Sequence, residues 1–358
     1  MTDQPITRRM LVSGAVAAPA LAAQTNVAEL ARQERVRIVT AASSYVVPPP
    51  RLSAEEIALI CSQANNVELT VPAGHAELER LLPEADVIFG SINAEMFAKA
   101  RKLRWLQATE AGVDKLLFTE LVNSPVVVTN MQRVFAPAIS ETAIGMLLAL
   151  TRGFNRYFFP QFQQRKWEFH QDLVEIDGMT MGVVGLGGLG SATAERAYYG
   201  FHMKILAVDP KPMAKPSFVH TLREPEWLME MVPQVDVLVS AAPSTRLTEG
   251  MFNEKVFRAM KKSAYFLNIS RGTLVDEAAL ARALKEGWIA GAGVDVAKEE
   301  PLPPGHPFWD CPNLIITCHT AGFSPQRRVR LVALLAENVR RYAHGLPLMN
   351  VVDKKRGY

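Results

Sequence analysis

Short apolar runs alternate with longer, more polar stretches in the first third of the chain. Three of these runs are rich in β-branched residues and are bounded by Pro, Gly or Asn, which predicts strands. They cover residues 36–41, 86–90 and 126–129. Residues 53–63 and 76–82 are the predicted helices between them, and Ser53 followed by Glu56 has the form of a capping box. The alternation predicts an α/β fold with a parallel sheet and helical crossovers.

A second alternating series begins at Gly182 and is longer than the first. Its six predicted strands are residues 182–184, 204–208, 236–240, 264–269, 290–294 and 314–317. With helical stretches between them, these strands predict a doubly wound sheet. Residues 137–152 are apolar on nearly every face, so we expect a buried helix there, lying between two domains. Ser324 and Pro325 are residue types that begin a further helix.

Composition narrows the class of protein. A length of 358 residues predicts about two domains, at roughly 150 residues each. With 49% hydrophobic and 21% charged residues the chain is ordinary globular protein, which excludes wholesale disorder. The net charge of +3 gives no case for a nucleic-acid partner or a membrane surface. Three scattered cysteines, Cys61, Cys311 and Cys318, exclude a disulfide framework and a CxxC zinc site, so no metal site is predicted.

Residues 1–23 have the order of parts of an export signal. Arg8 and Arg9 precede a small, weakly apolar run, and Ala20-Leu21-Ala22 fits an A-x-A cleavage site. The run is about 13 residues long, whereas a membrane-spanning helix needs about 20, so no integral membrane span is predicted. The segment resembles the bacterial twin-arginine signal. It predicts a periplasmic or exported protein; the alternative is a cytoplasmic protein whose tail carries an arginine pair by accident.

A glycine-rich turn follows the strand that ends at residue 184. Its spacing is G-x-G-x-x-G: Gly185 permits a tight turn, Gly187 lets a pyrophosphate approach the backbone, and Gly190 lets helix and strand pack closely. Gly188 and Leu189 complete the turn, where the N–H groups of the helix N-terminus would bind the phosphates. The turn predicts a dinucleotide site.

Asp209 lies 19 positions after Gly190, at the end of the next predicted strand. A carboxylate there accepts hydrogen bonds from the adenosine ribose and repels a 2′-phosphate, which favours NAD as the cofactor over NADP. Lys211 nearby keeps NADP as the alternative. The alternative to a dinucleotide site is a purely structural glycine-rich turn, with Asp209 as a solvated residue at a strand end.

Arg271, Glu300 and His319 each lie just beyond a predicted strand. In an open parallel sheet, ligands bind at the carboxyl ends of the strands, so these three side chains are expected to converge near a bound dinucleotide. Each has a structural alternative. His319 could bond a backbone carbonyl, Arg271 could form a surface salt bridge, and Glu299 competes with its neighbour Glu300.

Three stretches together resemble the D-isomer-specific 2-hydroxyacid dehydrogenase family. They are the turn Ala111-Gly112-Val113-Asp114, the glycine fingerprint at 185–190, and residues 260–322. The resemblance covers most of residues 36–345. It implies two Rossmann-like domains with the active site in the cleft between them: a substrate domain of residues 36–130 completed by 323–345, and an NAD-binding domain of residues 131–322. It also implies a homodimer.

The resemblance implies a catalytic role for three residues. His319 corresponds to the acid–base, Glu300 to its carboxylate partner before a proline, and Arg271 to the residue that grips the substrate carboxylate. The chemistry needs these types, because oxidising a secondary alcohol removes a hydride from carbon and a proton from oxygen. A carboxylate beside the imidazole stabilises the imidazolium, and the planar fork of arginine suits a carboxylate.

The resemblance also implies several binding contacts. Backbone N–H groups of Ala111, Gly112 and Val113 correspond to donors to the substrate carboxylate, although any tight turn can contain Gly112. Ser270 and Asp295 correspond to coenzyme contacts, Asp295 at the nicotinamide carboxamide, with a loop-capping role as its alternative.

Three places depart from the family pattern, one of them Ala241-Ala242-Pro243, which lacks a polar residue often found before that proline. Cys318 stands where proline usually precedes the histidine; loss of the fixed φ of proline would loosen the loop, whereas a small buried thiol would fill the space. Gly188 replaces a frequent arginine, which removes one possible pyrophosphate contact. The sequence therefore predicts an NAD-dependent oxidoreductase that interconverts a D-2-hydroxy acid and its 2-keto acid, such as glyoxylate, hydroxypyruvate or pyruvate. The alternative is a non-catalytic, NAD(H)-responsive binding protein of the same fold.

Overall fold

The computed structural model describes residues 35–41 and 52–358. The predicted export signal at residues 1–23 lies outside these residues. The chain divides into two compact units. Of the described residues, the first comprises 35–41, 52–107, 123–129 and 333–353, and the second comprises Ala108–Val122, Asn130–Val332 and Lys354–Tyr358.

The first unit contains a five-stranded parallel sheet in the order β2-β1-β3-β4-β5. Its strands are β1 Val36–Thr40, β2 Val67–Thr70, β3 Val87–Phe89, β4 Trp105–Gln107 and β5 Val127–Thr129. The helices α1 Ala54–Cys61, α2 His75–Leu81 and α3 Ala94–Lys99 connect the strands, and α4 Thr119–Asn123, nearly all of which belongs to the second unit, follows β4 in the chain. The capping box is present, since Ser53 Oγ accepts from the Glu56 N–H at 3.2 Å and a Glu56 carboxylate oxygen accepts from the Ser53 N–H at 2.8 Å.

The second unit contains a seven-stranded parallel sheet in the order β12-β11-β10-β9-β6-β7-β8. The strands are β6 Thr180–Val184, β7 Lys204–Val208, β8 Thr221–Arg223, β9 Val237–Ser240, β10 Tyr265–Asn268, β11 Gly291–Val294 and β12 Leu314–Ile316. The six predicted strands are present, and the order reverses between β6 and β9, where the crevice of a doubly wound sheet opens. β8 was not predicted, because its sequence TLR is short, polar and at the sheet edge.

The remaining helices follow in chain order. They are α5 Ala136–Thr151, α6 Phe159–Gln164, α7 Gly188–Phe201, α8 Leu228–Met231, α9 Glu254–Ala259, α10 Glu277–Lys285 and α11 Pro325–Ala343. A π-helical turn lies at Phe154–Phe158, and 3₁₀ turns lie at Leu82–Glu84, Pro225–Trp227, Val232–Gln234, Gly272–Leu274 and Pro307–Asp310. In the part of the chain that the structure describes, no helix combines the length and apolar character that crossing a membrane requires.

Helix α5 is largely buried, as its sequence predicts. Ala143, Ile144, Met146, Leu147 and Leu150 belong to one core cluster of the second unit, together with residues of β6, β7 and α7. Strand β11 aids this packing because it carries Gly293, where a Cβ would lie 2.9 Å from the Met146 sulfur. The apolar residues of the helix therefore contribute to the core of the second unit.

The two units differ from the sequence-based boundaries at two places. Residues 108–122, which the sequence assigned to the substrate domain, belong to the second unit, and so does the first half of α11. In the second unit Asp114 pairs with Arg271, and the Arg330 guanidinium of α11 donates to the Val134 carbonyl at 2.8 Å. Such long-range polar pairs have no local sequence pattern.

A buried polar network joins the second half of α11 to the sheet of the first unit. Thr129 Oγ1 accepts from the Trp105 indole N–H at 2.7 Å and donates to the Gln107 side-chain oxygen at 2.8 Å. The Asn338 amide donates to the same Gln107 oxygen at 2.9 Å and accepts from the Met349 N–H at 2.8 Å. Because these groups are buried, each hydrogen bond is expensive to leave unmade.

Replacing Asn338 by Ala removes two of these bonds and leaves the Met349 N–H without its partner. We expect the free energy of unfolding, measured by urea titration, to fall by about 2 kcal/mol. Gln326→Ala, at an exposed position of the same helix, is the control and should change it by less than about 0.5 kcal/mol. Equal stability of the two variants would contradict a structural role for the network.

Candidate active site

The glycine turn lies between β6 and α7 in the second unit. Gly185 has a φ of +91°, and a Cβ there would lie 2.8 Å from the Ala242 Cα in the loop after β9. At Gly190 a Cβ would lie 1.9 Å from the Gly185 carbonyl oxygen. Helix α7 begins at Gly188, directly after Gly187, so its first N–H groups border this turn. Leu189 packs against the core of the unit.

Asp209 ties the glycine turn to the loop after β7. Its carboxylate accepts from the Leu186 N–H at 2.7 Å and from the Lys211 N–H at 2.8 Å. The carboxylate therefore fixes the turn and, at the carboxyl end of β7, presents negative charge beside it. A turn without side chains, a helix N-terminus and a strand-end carboxylate fit a dinucleotide.

Ser270 is buried just beyond the carboxyl end of β10. Its hydroxyl is 2.8 Å from the Ser240 hydroxyl and 3.0 Å from the Asn268 side-chain oxygen. The Asn268 amide donates to the Arg271 carbonyl at 3.0 Å. In this structure Ser270 and Asn268 thus fix the backbone from which the Arg271 side chain extends.

The structure brings Arg271 and the 111–114 turn together. The Arg271 Nε donates to an Asp114 carboxylate oxygen at 3.3 Å, and Nη1 donates to the Ser270 carbonyl at 2.9 Å. A Cβ at Gly112 would lie 1.8 Å from Arg271 Nη2, so the guanidinium occupies space that any other residue here would contest.

The neighbours of Gly112 are also anchored. The Ala111 carbonyl accepts from the Asn130 amide at 2.6 Å, and the Val113 carbonyl accepts from the Leu116 N–H at 2.9 Å. Sequence reasoning missed the part played by Asp114, although its carboxylate directly follows the predicted turn.

His319 and Glu300 form a hydrogen-bonded pair. His319 Nδ1 lies 2.8 Å from a Glu300 carboxylate oxygen, and the two side chains are 41% and 29% exposed. The other Glu300 oxygen accepts from the Ala297 N–H at 3.0 Å. The pair leaves the His319 Nε2 atom as the ring nitrogen directed away from Glu300. Glu299, the competing residue, is exposed.

Asp295 holds the loop that carries His319. Its buried carboxylate accepts from the Thr317 hydroxyl at 2.5 Å, the Thr320 N–H at 3.1 Å and the Ala321 N–H at 3.2 Å. The His319 N–H donates to the Asp295 carbonyl at 2.7 Å. Burial raises the pKa of Asp295, although these donors oppose the rise. These contacts are those of a loop-capping residue, the alternative role considered for Asp295.

Cys318 differs from its expected role. The thiol is exposed and lies 3.8 Å from the Thr320 hydroxyl, so it does not fill a buried space. The loop is instead held by Asp295, and His319 adopts a left-handed backbone with φ of +57°. Of the two outcomes considered for Cys318, the buried thiol is therefore not the one the structure has.

Glu277, at the start of α10, supports the loop that carries Glu300. One carboxylate oxygen accepts from the Lys298 N–H at 2.7 Å, and the other lies 3.2 Å from His306 Nε2. Sequence reasoning missed this residue. Acidic residues are common in the first turn of a helix, where the helix dipole stabilises them, so the sequence gives no sign that Glu277 also contacts this loop.

Comparisons with known proteins agree on the family. A model described as the NAD-binding domain of D-isomer specific 2-hydroxyacid dehydrogenases matches residues 144–321. A glyoxylate reductase of Thermofilum pendens is 32% identical over 302 residues, which cover 82% of this chain and 88% of that protein. The chain belongs to the D-isomer specific 2-hydroxyacid dehydrogenase family.

Solved structures agree with this assignment. A D-isomer specific 2-hydroxyacid dehydrogenase family protein from Aeromonas salmonicida has a TM-score of 0.74 at 29% identity, covering 90% of this chain and 100% of that one. A NADPH-dependent glyoxylate/hydroxypyruvate reductase from Sinorhizobium meliloti, solved with NADP and sulfate, has a TM-score of 0.75 at 26% identity with the same coverage. The predicted α/β class with two Rossmann-like domains is confirmed.

As a 2-hydroxyacid dehydrogenase family member, the protein is an oxidoreductase with an NAD-binding domain. The nicotinamide coenzyme, when bound, exchanges a hydride with the substrate. The protein's own groups must hold a carboxylate and move a proton. Arg271, Glu300 and His319 follow the adjacent strands β10, β11 and β12, which places a cation for the first task and an acid–base pair for the second on one sheet edge.

The charge state of Glu300 is set by opposing effects. Burial raises its pKa, but the hydrogen bonds from His319 and the Ala297 N–H, together with the charges of His319 and Lys115, outweigh it and hold the pKa below its ordinary value. Glu300 is therefore ionised at every pH above that lowered pKa. Its negative charge faces the His319 ring across the 2.8 Å hydrogen bond.

Glu300→Gln removes this charge while keeping the shape of the side chain. Reduction needs a correctly oriented proton donor, so kcat/KM for keto-acid reduction should fall by about tenfold when the ring loses its carboxylate partner. Steady-state kinetics with a keto acid and NADH measure this. Glu299→Gln is the matched control and should keep the wild-type kcat/KM; an unchanged kcat/KM in Glu300→Gln would contradict the pairing.

Proposed function

We propose that this protein reduces small 2-keto acids to D-2-hydroxy acids, with glyoxylate, hydroxypyruvate and pyruvate as the expected substrates. The observation that carries the proposal is the His319–Glu300 pair at 2.8 Å on the same sheet edge as Arg271. Relatives named glyoxylate reductase and glyoxylate/hydroxypyruvate reductase support this substrate class.

In this proposal each side chain has one task. Arg271 and the N–H groups of the 111–113 turn bind the substrate carboxylate, which orients the keto carbon. The His319 imidazolium donates its Nε2 proton to the keto oxygen, and Glu300 stabilises the positive ring before the transfer. In the oxidation direction the neutral ring accepts the proton from the hydroxyl group.

We propose NADH as the preferred coenzyme, with NADPH as the weaker alternative. The carboxylate of Asp209 supports this preference, because it would repel a 2′-phosphate at the adenosine ribose. Its two backbone donors hold the carboxylate in place and keep it close to the glycine turn. The Sinorhizobium meliloti relative solved with NADP is the reason to measure both coenzymes.

We also propose that residues 1–23 direct export by the twin-arginine route. The order of arginine pair, weakly apolar run and Ala20-Leu21-Ala22 supports this. The route carries folded proteins, so a protein that needs a cytoplasmic dinucleotide can bind it before export. In this proposal the mature protein is periplasmic and begins at Ala23.

We propose that the protein is a homodimer. Four aromatic side chains between α5 and β6 support this: Phe159, Phe162, Trp167 and Phe169 are 61%, 85%, 89% and 89% exposed. These four side chains, which we call the aromatic face, lie close together along the chain, and exposed apolar groups of this kind mark interaction sites. A second copy of the chain would bury it, as aromatic residues commonly do at subunit interfaces.

The reaction is tested with purified protein, a panel of keto acids, and NADH and NADPH side by side. His319→Asn should lower kcat by about a hundredfold or more, because the proton donor is lost. Arg271→Ala should raise KM for the keto acid by about tenfold, because a charge-assisted carboxylate contact is lost. His75→Ala, at an exposed histidine of α2, is the control. Unchanged turnover in His319→Asn would remove the acid–base assignment.

Export is tested by expressing the full chain in a bacterium with a working twin-arginine system. The wild type should be found in the periplasm with Ala23 as its first residue, as determined by N-terminal sequencing. Replacing both Arg8 and Arg9 by Lys should retain the uncleaved protein in the cytoplasm. The same location and the same first residue for both proteins would contradict the signal.

The dimer is tested by the mass of the purified protein from light scattering after gel filtration. The wild type should have twice the mass of one chain, and Phe162→Asp/Trp167→Asp should have the mass of one chain, because charge replaces the apolar contact. Leu247→Asp, at a leucine 93% exposed elsewhere in the second unit, should remain dimeric. A monomeric wild type would refute the dimer.

A further inference from the structure

The glycine turn carries no charge of its own. Residues 185–190 read GLGGLG, so the N-terminus of α7 offers backbone N–H groups and the helix dipole, but no cation, to a pyrophosphate. The dipole corresponds to about half an elementary charge. A dinucleotide pyrophosphate carries two negative charges, which leaves room for a cationic side chain from another element.

The backbone and the first part of the Arg133 side chain lie beside this turn. It lies in the loop between β5 and α5, and a Cβ on Gly188 would lie 2.9 Å from the Arg133 Cγ and 3.2 Å from the Arg133 backbone nitrogen. The arginine side chain thus extends past the first residue of α7, and the lack of a side chain at Gly188 makes the space for it. Gln132 lies beside the preceding residue, since its amide nitrogen would be 3.7 Å from a Cβ on Gly187.

The backbone of Arg133 is held in an unfavourable conformation. Its φ is +73°, a left-handed conformation that costs free energy for any residue with a Cβ. The loop is anchored on both sides of Asn130, whose amide donates to the Ala111 carbonyl at 2.6 Å and whose oxygen accepts from the Gln132 N–H at 3.1 Å. The anchored loop therefore fixes the backbone from which the Arg133 side chain extends.

We propose that Arg133 binds the coenzyme pyrophosphate and that the absence of a side chain at Gly188 gives it the room to do so. The planar guanidinium forms paired hydrogen bonds with phosphate oxygens, which the α7 N–H groups bind from the other side. The proposal rests on the family's coenzyme site and is independent of which keto acid is reduced.

The first test is NADH binding, measured by fluorescence titration without keto acid. In Arg133→Gly the left-handed backbone becomes unstrained, so the melting temperature should be unchanged or higher. The Kd for NADH should nevertheless rise about tenfold, because a charge-assisted contact is lost. Arg165→Gly is the matched control: this arginine is also left-handed, with φ of 55°, and exposed, and its replacement should leave the Kd unchanged.

The second test uses fragments of the coenzyme. ADP-ribose contains the pyrophosphate, and adenosine does not. Arg133→Gly should weaken ADP-ribose about as much as NADH and leave adenosine unchanged. The Kd for ADP-ribose should also depend less steeply on salt in the variant than in the wild type, because one exposed charge contact has been removed.

The third test moves the charge. In Arg133→Gly/Gly188→Arg the guanidinium is placed on the turn itself, and its side chain occupies the space that Arg133 vacates, so NADH affinity should recover.

Three results would overturn the proposal. They are an Arg133→Gly Kd within twofold of the wild type, equal losses for adenosine and ADP-ribose, and a double variant that melts like the wild type yet binds NADH no better than Arg133→Gly. Failure of the keto-acid panel with normal NADH binding would instead count against the proposed substrates alone.

Discussion

The active site depends on the hydrogen bond between His319 Nδ1 and Glu300, because it fixes both the orientation and the charge of the imidazole. The bond joins two loops that follow adjacent strands, β11 and β12. Each loop must be held independently for the bond to persist. Glu277 holds the loop that carries Glu300, and Asp295 holds the loop that carries His319. Two further carboxylates therefore position the pair to which we assign proton transfer.

The buried carboxylates show how loops at a sheet edge become rigid. Asp209 and Asp295 both accept backbone N–H groups from a neighbouring loop. Such bonds satisfy donors that would otherwise lack a partner and make a loop conformation specific. For Asp295 the cost is visible, since burial raises its pKa despite its three donors. A carboxylate at a strand end can therefore anchor a loop and still present charge to a ligand, and the two roles are compatible.

Sequence reasoning predicted those features of the structure that arise from a periodic pattern or from a short contiguous stretch. The six strands of the larger sheet, the capping box at Ser53 and the glycine turn each occupy a short stretch with a local pattern. Strand β4 was missed because it has three residues and ends at Gln107, a polar residue buried by its network. The pair of Asp114 and Arg271 was missed because 157 positions separate the two residues. The family resemblance supplied the catalytic roles, but the partners that hold those residues depend on packing.

The same distinction explains why departures from a family pattern are hard to interpret from sequence alone. Gly188 looks like the loss of a charge when the turn is considered by itself. In three dimensions the absence of a side chain at Gly188 leaves space for Arg133, which lies in a loop more than fifty positions earlier in the chain. Cys318 looks like a replacement that must fill a gap, yet its thiol is exposed, because Asp295 restrains the loop instead. A substituted position keeps its function when a spatial neighbour can take over the interaction, and sequence separation hides that neighbour.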